Sequence, residues 1–265
     1  MTATRNCARR LIAAYDGGFI DPIAGELPEK TIDAAYAVQM EQVGIWQDQG
    51  RRVAGRKIGL TSPVVQKQLG VDMPDFGHLM ADMIFGENLP LDPARLQQPR
   101  AEAEIALILE ADIDNADASV ADVVCAIGWV VPALEIVSSR IADWRISIHD
   151  TIADNASSGL VVLGGPARRL DGLDLVDCTM EMSLNGEVVS RGRGADCLGS
   201  PLNAAAWLAR AAAAHGTPLK AGEVILTGAL GPMVSIAPGD VLEAQIDGLG
   251  TVRTLIANPE LEKSA

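Results

Sequence analysis

The sequence predicts an α+β fold: a helical N-terminal region over residues 1–52 leading into a β-rich domain over 53–265, the two forming one integrated unit. Three observations predict it. In TIDAAYAVQMEQVGIWQDQG, Ile32, Tyr36, Met40, Val43 and Trp46 recur at three- and four-residue steps and make one apolar helical stripe. From Val53 onward the pattern changes to short β-like runs punctuated by Gly and Pro. Only two helical segments interrupt those runs, so the strands do not alternate regularly with helices, and a folded-over sheet fits better than a doubly wound one.

The elements follow in order. Thr31 is placed to cap the first long helix and Gly50 to stop it. The strand-like runs are VAGRKIGL, AEIALILEA, GWVVPALEIVS, SGLVVLGG, CTMEMSLNGEVVS, EVILTGA and DVLEAQIDGLGTVRTLIA. Within the fifth, Asn185-Gly186 between alternating flanks signals a two-residue hairpin. One interrupting helix starts at Ser119, with Asp122 as its capping-box partner, and ends at Gly128. The other runs from Ser200 and Pro201 to Gly216. NPELEKSA reads as a frayed tail.

Three glutamates carry the strongest chemical signal: Glu102 and Glu104 in PRAEAEIALILE, and Glu135 in WVVPALEIV. Alternate residues of a strand share a face, so Glu102 and Glu104 project together, about 7 Å apart at the backbone. E-x-E can mark the solvent side of an edge strand. Glu135, embedded in VVPALEIV, favours instead a metal site, because an unpaired buried carboxylate is expensive. Three carboxylates suit Mg²⁺ or Mn²⁺, whereas zinc recruits His or Cys.

Lys57 lies in the apolar segment ending at Gly59, where a ligand could approach the backbone closely. Read alone it is an exposed lysine whose stem covers apolar surface. The sharper alternative is a desolvated general acid/base. Asp75, in MPDFGHLMADM, reads alone as a turn residue. Asp150, Asp154 and Asn155, in HDTIADNASSG, suit caps and turns as well as substrate hydrogen bonds.

Composition and absences narrow the class. A formal charge of −14 disfavours nucleic acid or an anionic membrane surface as partner, without forbidding an anionic small molecule at a metal. Cys7, Cys125, Cys178 and Cys197 show no C-x-x-C spacing and read as reduced thiols of a cytoplasmic protein. There is neither a signal-peptide pattern at the start nor an apolar run of membrane-spanning length. H-E-x-x-H, G-x-S-x-G and a Walker A loop are absent, and GRGADCLG puts Cys197 where a dinucleotide fingerprint needs its third glycine.

Taken in series, GRKIGLTS, MPDFGHL, PRAEAEIALIL, PALEIVSSRIADWRISIHDTIADNASSG, GSPLNAAAWLA and LKAGEVILTGAL resemble the 2-hydroxypenta-2,4-dienoate (2-keto-4-pentenoate) hydratases of the fumarylacetoacetate hydrolase superfamily. The resemblance runs from about Thr31 to Ile256. It implies an N-terminal helical region followed by a mixed β-roll of the fumarylacetoacetate hydrolase C-terminal type. It implies Glu102, Glu104 and Glu135 as ligands of Mg²⁺ or Mn²⁺, and Lys57 as acid/base residue, overturning the bland reading of that lysine. Asp75 would orient Lys57 or water. Leu60, Asp154, Asn155, Thr227 and Gly228 would meet a 2-hydroxydienoate substrate.

The resemblance also implies a homo-oligomer acting in meta-cleavage catabolism of aromatic compounds, with a pathway decarboxylase or aldolase as a possible associate. Near relatives leave alternatives: a 4-oxalocrotonate-type decarboxylase, a hydratase for a hexadienoate or heptenedioate, or a silent subunit supporting a partner. A decarboxylase substrate carries a second carboxylate and calls for an additional cation, for which Arg140 and Arg145 are the candidates.

Overall fold

The computed structural model describes residues 2–62, 66, 71 and 73–259. From residue 260 the expected frayed tail lies outside them. Helix α1 (Ala3–Ala14) packs beside α2 (Ile32–Asp48). Thr31 accepts from the Ala34 amide as N-cap, and Gly50 ends α2 at φ +86°. Of the expected stripe, Tyr36, Val43 and Trp46 are buried, while Ile32 and Met40 are half-buried. Gln39 and Gln42 are buried with them and reach backbone oxygens of Phe76, Ile152 and Ala153. These bonds tie α2 to the chain around the site.

The described strands are β1 (Val53–Gly59), β2 (Asp75–Met80), β3 (Ile84–Gly86), β4 (Pro90–Leu91), β5 (Arg100–Leu109), β6 (Ile127–Val137), β7 (Leu160–Leu163), β8 (Thr179–Leu184), β9 (Glu187–Arg193), β10 (Val224–Ala229), β11 (Val234–Ser235), β12 (Val241–Ile246) and β13 (Gly250–Ile256). One sheet runs β2-β1-β10-β5-β6-β7-β3, with β11 added to β5; the other runs β4-β13-β12-β8-β9. Both are mixed: β1/β10, β3/β7 and β4/β13 pair parallel, the rest antiparallel. Helices first, then two sheets in contact through β6, β7, β12 and β13: this is the α+β architecture the sequence predicts.

Helix α3 (Val120–Ala126) begins with the expected Ser119–Asp122 capping box. It stops at Ala126 rather than Gly128, because β6 already starts at Ile127. Helix α5 (Pro201–Ala214) is capped by Ser200 and ends before Gly216 at φ +72°. Asn185 and Gly186 both take positive φ in the β8–β9 hairpin, the requirement of a type I′ turn.

One element was not legible. HDTIADNASSG adds a third interrupting helix, α4 (Ile148–Ala153), followed by a tight turn through Asn155–Ser157, so the expected aptitude for caps and turns is realised around a helix not foreseen. Asp150 closes a capping box with Ser147, and its other oxygen accepts the Ile23 and Ala24 amides. No helix among the described residues is long and apolar enough to cross a membrane, and all four cysteines are free.

Candidate active site

Strand β5 lies between β10 and β6 in the middle of its sheet, so E-x-E does not mark an edge. The antiparallel register sets Glu102 directly opposite Glu135, and Glu104 follows Glu102 on the same face. One oxygen from each carboxylate lies within 4.8 Å of the others. Glu104 and Glu135 are fully buried, Glu102 half-buried.

The hydrogen bonding of the cluster is incomplete. Glu104 Oε2 accepts the Gly228 amide at 2.8 Å, but its Oε1 has no partner. Neither Glu135 oxygen accepts a hydrogen bond, though Oε1 faces Lys57 Nζ across 3.1 Å. Buried carboxylate oxygens left open in this way fit a divalent cation: three hard oxygens converge, and the group contains neither His nor Cys.

The electrostatics agree. Burial, then Glu135, pushes the Glu102 carboxyl up to about 7. Burial, then Glu135 and Glu102, drives Glu104 well above the usual carboxylate range. These groups resist ionising together without a counter-cation. Lys57, 3% exposed and so not the surface lysine of the bland reading, is the one cation in contact among the described residues. Burial opposes its charge, but Glu135, Asp75, Glu102 and Glu104 outweigh burial and hold its pKa above the ordinary lysine value.

Asp75 is not in a turn; it opens β2, opposite Gly59 of β1. In that register Lys57, Gly59 and Asp75 share one face of the sheet. Burial raises the Asp75 pKa, Lys57 pulls against it, and Asp75 Oδ2 has no hydrogen-bond partner.

The site opens on a cavity of about 610 Å³, which Glu102 lines while Glu104 and Glu135 do not. Lys57, Asp75 and Glu102 line its inner wall, with Leu60 (φ +58°), Thr61 and the hydroxyl residues Thr151 and Ser157 beside them. Val137, Trp144, Ile146, Pro232 and Met233 form an apolar side, and Arg100 and Arg191 line it as well.

Four expected substrate contacts are placed elsewhere. Asp154 is fully buried in an ion pair with Arg140 (Nε–Oδ1 2.6 Å), so its carboxylate is spent within the protein. Asn155 bonds both the amide and the carbonyl of His78 and pins its turn to β2. Thr227 Oγ1 donates to the Ile105 carbonyl, and the Gly228 amide serves Glu104, so this pair backs a carboxylate of the cluster while Ala229 and Gly231 line the cavity. Of the two candidate second cations, Arg140 is buried against Asp154, and Arg145 is exposed beside Asp21 and Asp143.

Sequence reasoning missed Arg100. The alternation that pairs Glu102 with Glu104 also puts residue 100 on their face, so that signal was present. Trp144, Thr151, Ser157 and Arg191 come from distant segments, and no spacing announces them.

A sequence model of the fumarylacetoacetate hydrolase C-terminal family matches residues 64–257. The chain is 53% identical to 2-keto-4-pentenoate hydratase 1 of Dechloromonas aromatica, over 92% of this chain and 93% of that one. It is 52% identical to the 2-keto-4-pentenoate hydratase of Burkholderia vietnamiensis, over 93% and 94%. Among solved structures, 4-oxalocrotonate decarboxylase of Pseudomonas putida G7, complexed with magnesium and adipate, superposes with a TM-score of 0.92 at 33% identity, covering 96% of this chain and 97% of that one.

Proposed function

We propose a 2-keto-4-pentenoate hydratase: the chain belongs to the fumarylacetoacetate hydrolase family, and it is a hydro-lyase that adds water to 2-hydroxypenta-2,4-dienoate to give 4-hydroxy-2-oxopentanoate. Identity above one half, over more than nine-tenths of the chain, to hydratases favours hydration over decarboxylation. The decarboxylase shares the fold but only a third of the residues. The observation that carries the chemistry is the three-carboxylate cluster with Lys57 Nζ 3.1 Å from Glu135.

Mg²⁺ or Mn²⁺ is the cofactor, and Glu102, Glu104 and Glu135 are the residues that hold it. When bound it supplies Lewis-acid stabilisation of negative charge on a 2-oxo acid. With the charge of the glutamates neutralised by the cation, Lys57 would lose the partners that hold it protonated, and it relocates the proton from the 2-hydroxyl to C5, converting the dienol into a 2-oxo-3-enoate whose C4 is electrophilic by conjugation. Asp75, with the Thr151 and Ser157 hydroxyls on the same wall, positions the water that adds to C4, and a proton delivered to C3 completes the product. Leu60 packs against the bound acid from the strand end.

The substrate is a small molecule; neither nucleic acid nor membrane is a partner. We place the protein in the cytoplasm as a homo-oligomer in meta-cleavage catabolism. Residues 1–52 and 53–265 act as one unit, a reading supported by the bonds from Gln39 and Gln42 to backbone near the site. A panel of 2-hydroxydienoates, assayed with EDTA-stripped protein and again after Mg²⁺ or Mn²⁺ is restored, tests the assignment. Metal-restored loss of the pentadienoate chromophore without CO₂ release is expected, and stoichiometric CO₂ would overturn it.

A further inference from the structure

Among the described residues, Lys57, Arg100 and Arg191 are the cations lining the cavity. Lys57 faces Glu135 at 3.1 Å, and Arg191 is bound to Glu181 at 2.8 Å. Arg100 has no carboxylate within ion-pair distance among the described residues. Its guanidinium lies over the Trp144 ring, 4.5 Å from the centroid, and Nη1 donates to Met233 Sδ. A thioether is a weak acceptor and an aromatic face holds a cation loosely, so most of the donor capacity of this fork remains unused.

Its position along β5 gives that unused charge a direction. Arg100, Glu102 and Glu104 alternate on one face, so Arg100 stands about 7 Å beyond Glu102 along the strand, away from Glu104. Apolar side chains line the cavity near Arg100: Val137 is its register partner on β6, and Met233 accepts its hydrogen bond. A five-carbon dienoate ends in a methylene group and makes no use of a cation there. An extended six-carbon acid with a carboxylate at each end is comparable in length with the spacing of about 7 Å between Arg100 and Glu102 along β5.

We propose that Arg100 is a specificity-determining residue that receives a carboxylate at the distal end of the bound acid, so that the site takes 2-oxo- and 2-hydroxydienoic acids bearing a second acidic group as well as the unsubstituted dienoate. The inference rests on the proposed metal site and takes the 2-oxo-acid end of the molecule to lie at Glu102, Glu104 and Glu135, the metal-end reading. Arg supplies a planar fork that matches a carboxylate with two parallel bonds, and the Trp144 face keeps that fork aimed at the cavity.

The test uses two saturated 2-oxo acids of equal length, 2-oxoadipate and 2-oxohexanoate, titrated calorimetrically into the Mg²⁺-loaded protein. They differ only in the distal carboxylate. The expected result is binding of 2-oxoadipate at least about tenfold tighter, a preference lost in Arg100→Gln and largely kept in Arg100→Lys, while Arg191→Gln retains it. Equal binding of the two acids by the unmodified protein overturns the proposal and leaves the hydratase reading standing. A preference that survives Arg100→Gln but disappears in Arg191→Gln also overturns it. Failure of both acids to bind in the presence of Mg²⁺ sinks the metal-end reading and this proposal with it.

Discussion

Gly59 and Asp75 face each other across β1 and β2 so closely that a Cβ on Gly59 would stand 2.2 Å from Asp75 Oδ1 and 3.7 Å from Lys57 Nζ. The space the sequence reserves by omitting a side chain at residue 59 is therefore filled by a carboxylate, not by a ligand. Asp75 Oδ1 lies over the Gly59 backbone beside Lys57, which reaches the carboxylate cluster. Gly59→Ala should push Asp75 aside and lower kcat by about tenfold to a hundredfold, since displacements near 1 Å cost that much at a positioned group. Gly44→Ala in α2, where an added Cβ meets nothing within 4 Å, is the control: full activity and a melting temperature unchanged or slightly raised. Equal kcat in the two variants would sink the positioning role.

Lys57→Met tests the proton shuttle directly. The variant should still bind Mg²⁺, because the three glutamates are untouched, while turnover falls by about 10²- to 10⁴-fold. Magnesium titration and steady-state rates on the same preparation separate the two properties. Full turnover with normal metal binding would remove Lys57 from the mechanism.

The carboxylate cluster sets a pH dependence whose sign can be worked out. The Glu102 carboxyl stands at about 7 in the folded chain against an ordinary 4.5, and Glu104 is displaced in the same direction. Between those values the metal-free native state holds protons that the unfolded chain has released, so its stability falls as pH rises. The contribution is fully present below the unfolded value and is lost through pH 7 and above. Metal binding needs ionised oxygens, so stabilisation by Mg²⁺ should grow over the same interval. Melting curves at about pH 5 and about pH 8, with EDTA or with Mg²⁺, check this. The gap between the two conditions should widen at the higher pH and shrink in Glu102→Gln.

The sequence made the centre of the site legible because strand geometry is local. Period-two alternation puts Glu102 and Glu104 on one face, and a carboxylate inside VVPALEIV demands a partner wherever it folds. Lys57 was ambiguous because VAGRKIGL reads the same whether its polar face meets water or acids; the pairing of β1 with β10 and β2 decides that. The cavity wall was illegible for a different reason. Trp144, Thr151, Ser157 and Arg191 converge from an irregular turn, a short helix, its following turn and a strand of the second sheet, and no periodicity links them. Asp154 and Asn155 bond within the protein, to Arg140 and His78, because side chains that suit substrate hydrogen bonds suit internal ones equally.

The Arg140–Asp154 pair supplies the last prediction, which separates a structural aspartate from a substrate-binding one. Arg140 is fully buried, donates to Asp154 Oδ1, the Asp154 carbonyl and the Ser158 carbonyl, and lies over the Tyr15 ring at 4.1 Å. Removing one partner leaves an uncompensated buried charge, which typically costs about 3–5 kcal/mol. Asp154→Ala should accordingly unfold at much lower denaturant, and the fraction that remains folded should show a near-normal KM. Arg140→Met with Asp154→Leu removes both charges and should recover most of the lost stability, because the penalty comes from the orphaned charge and not from the missing attraction. Were Asp154 a substrate contact instead, Asp154→Ala would raise KM with the denaturation midpoint unmoved. Denaturant titrations of the two proteins beside the unmodified chain, with KM measured on each, distinguish the cases.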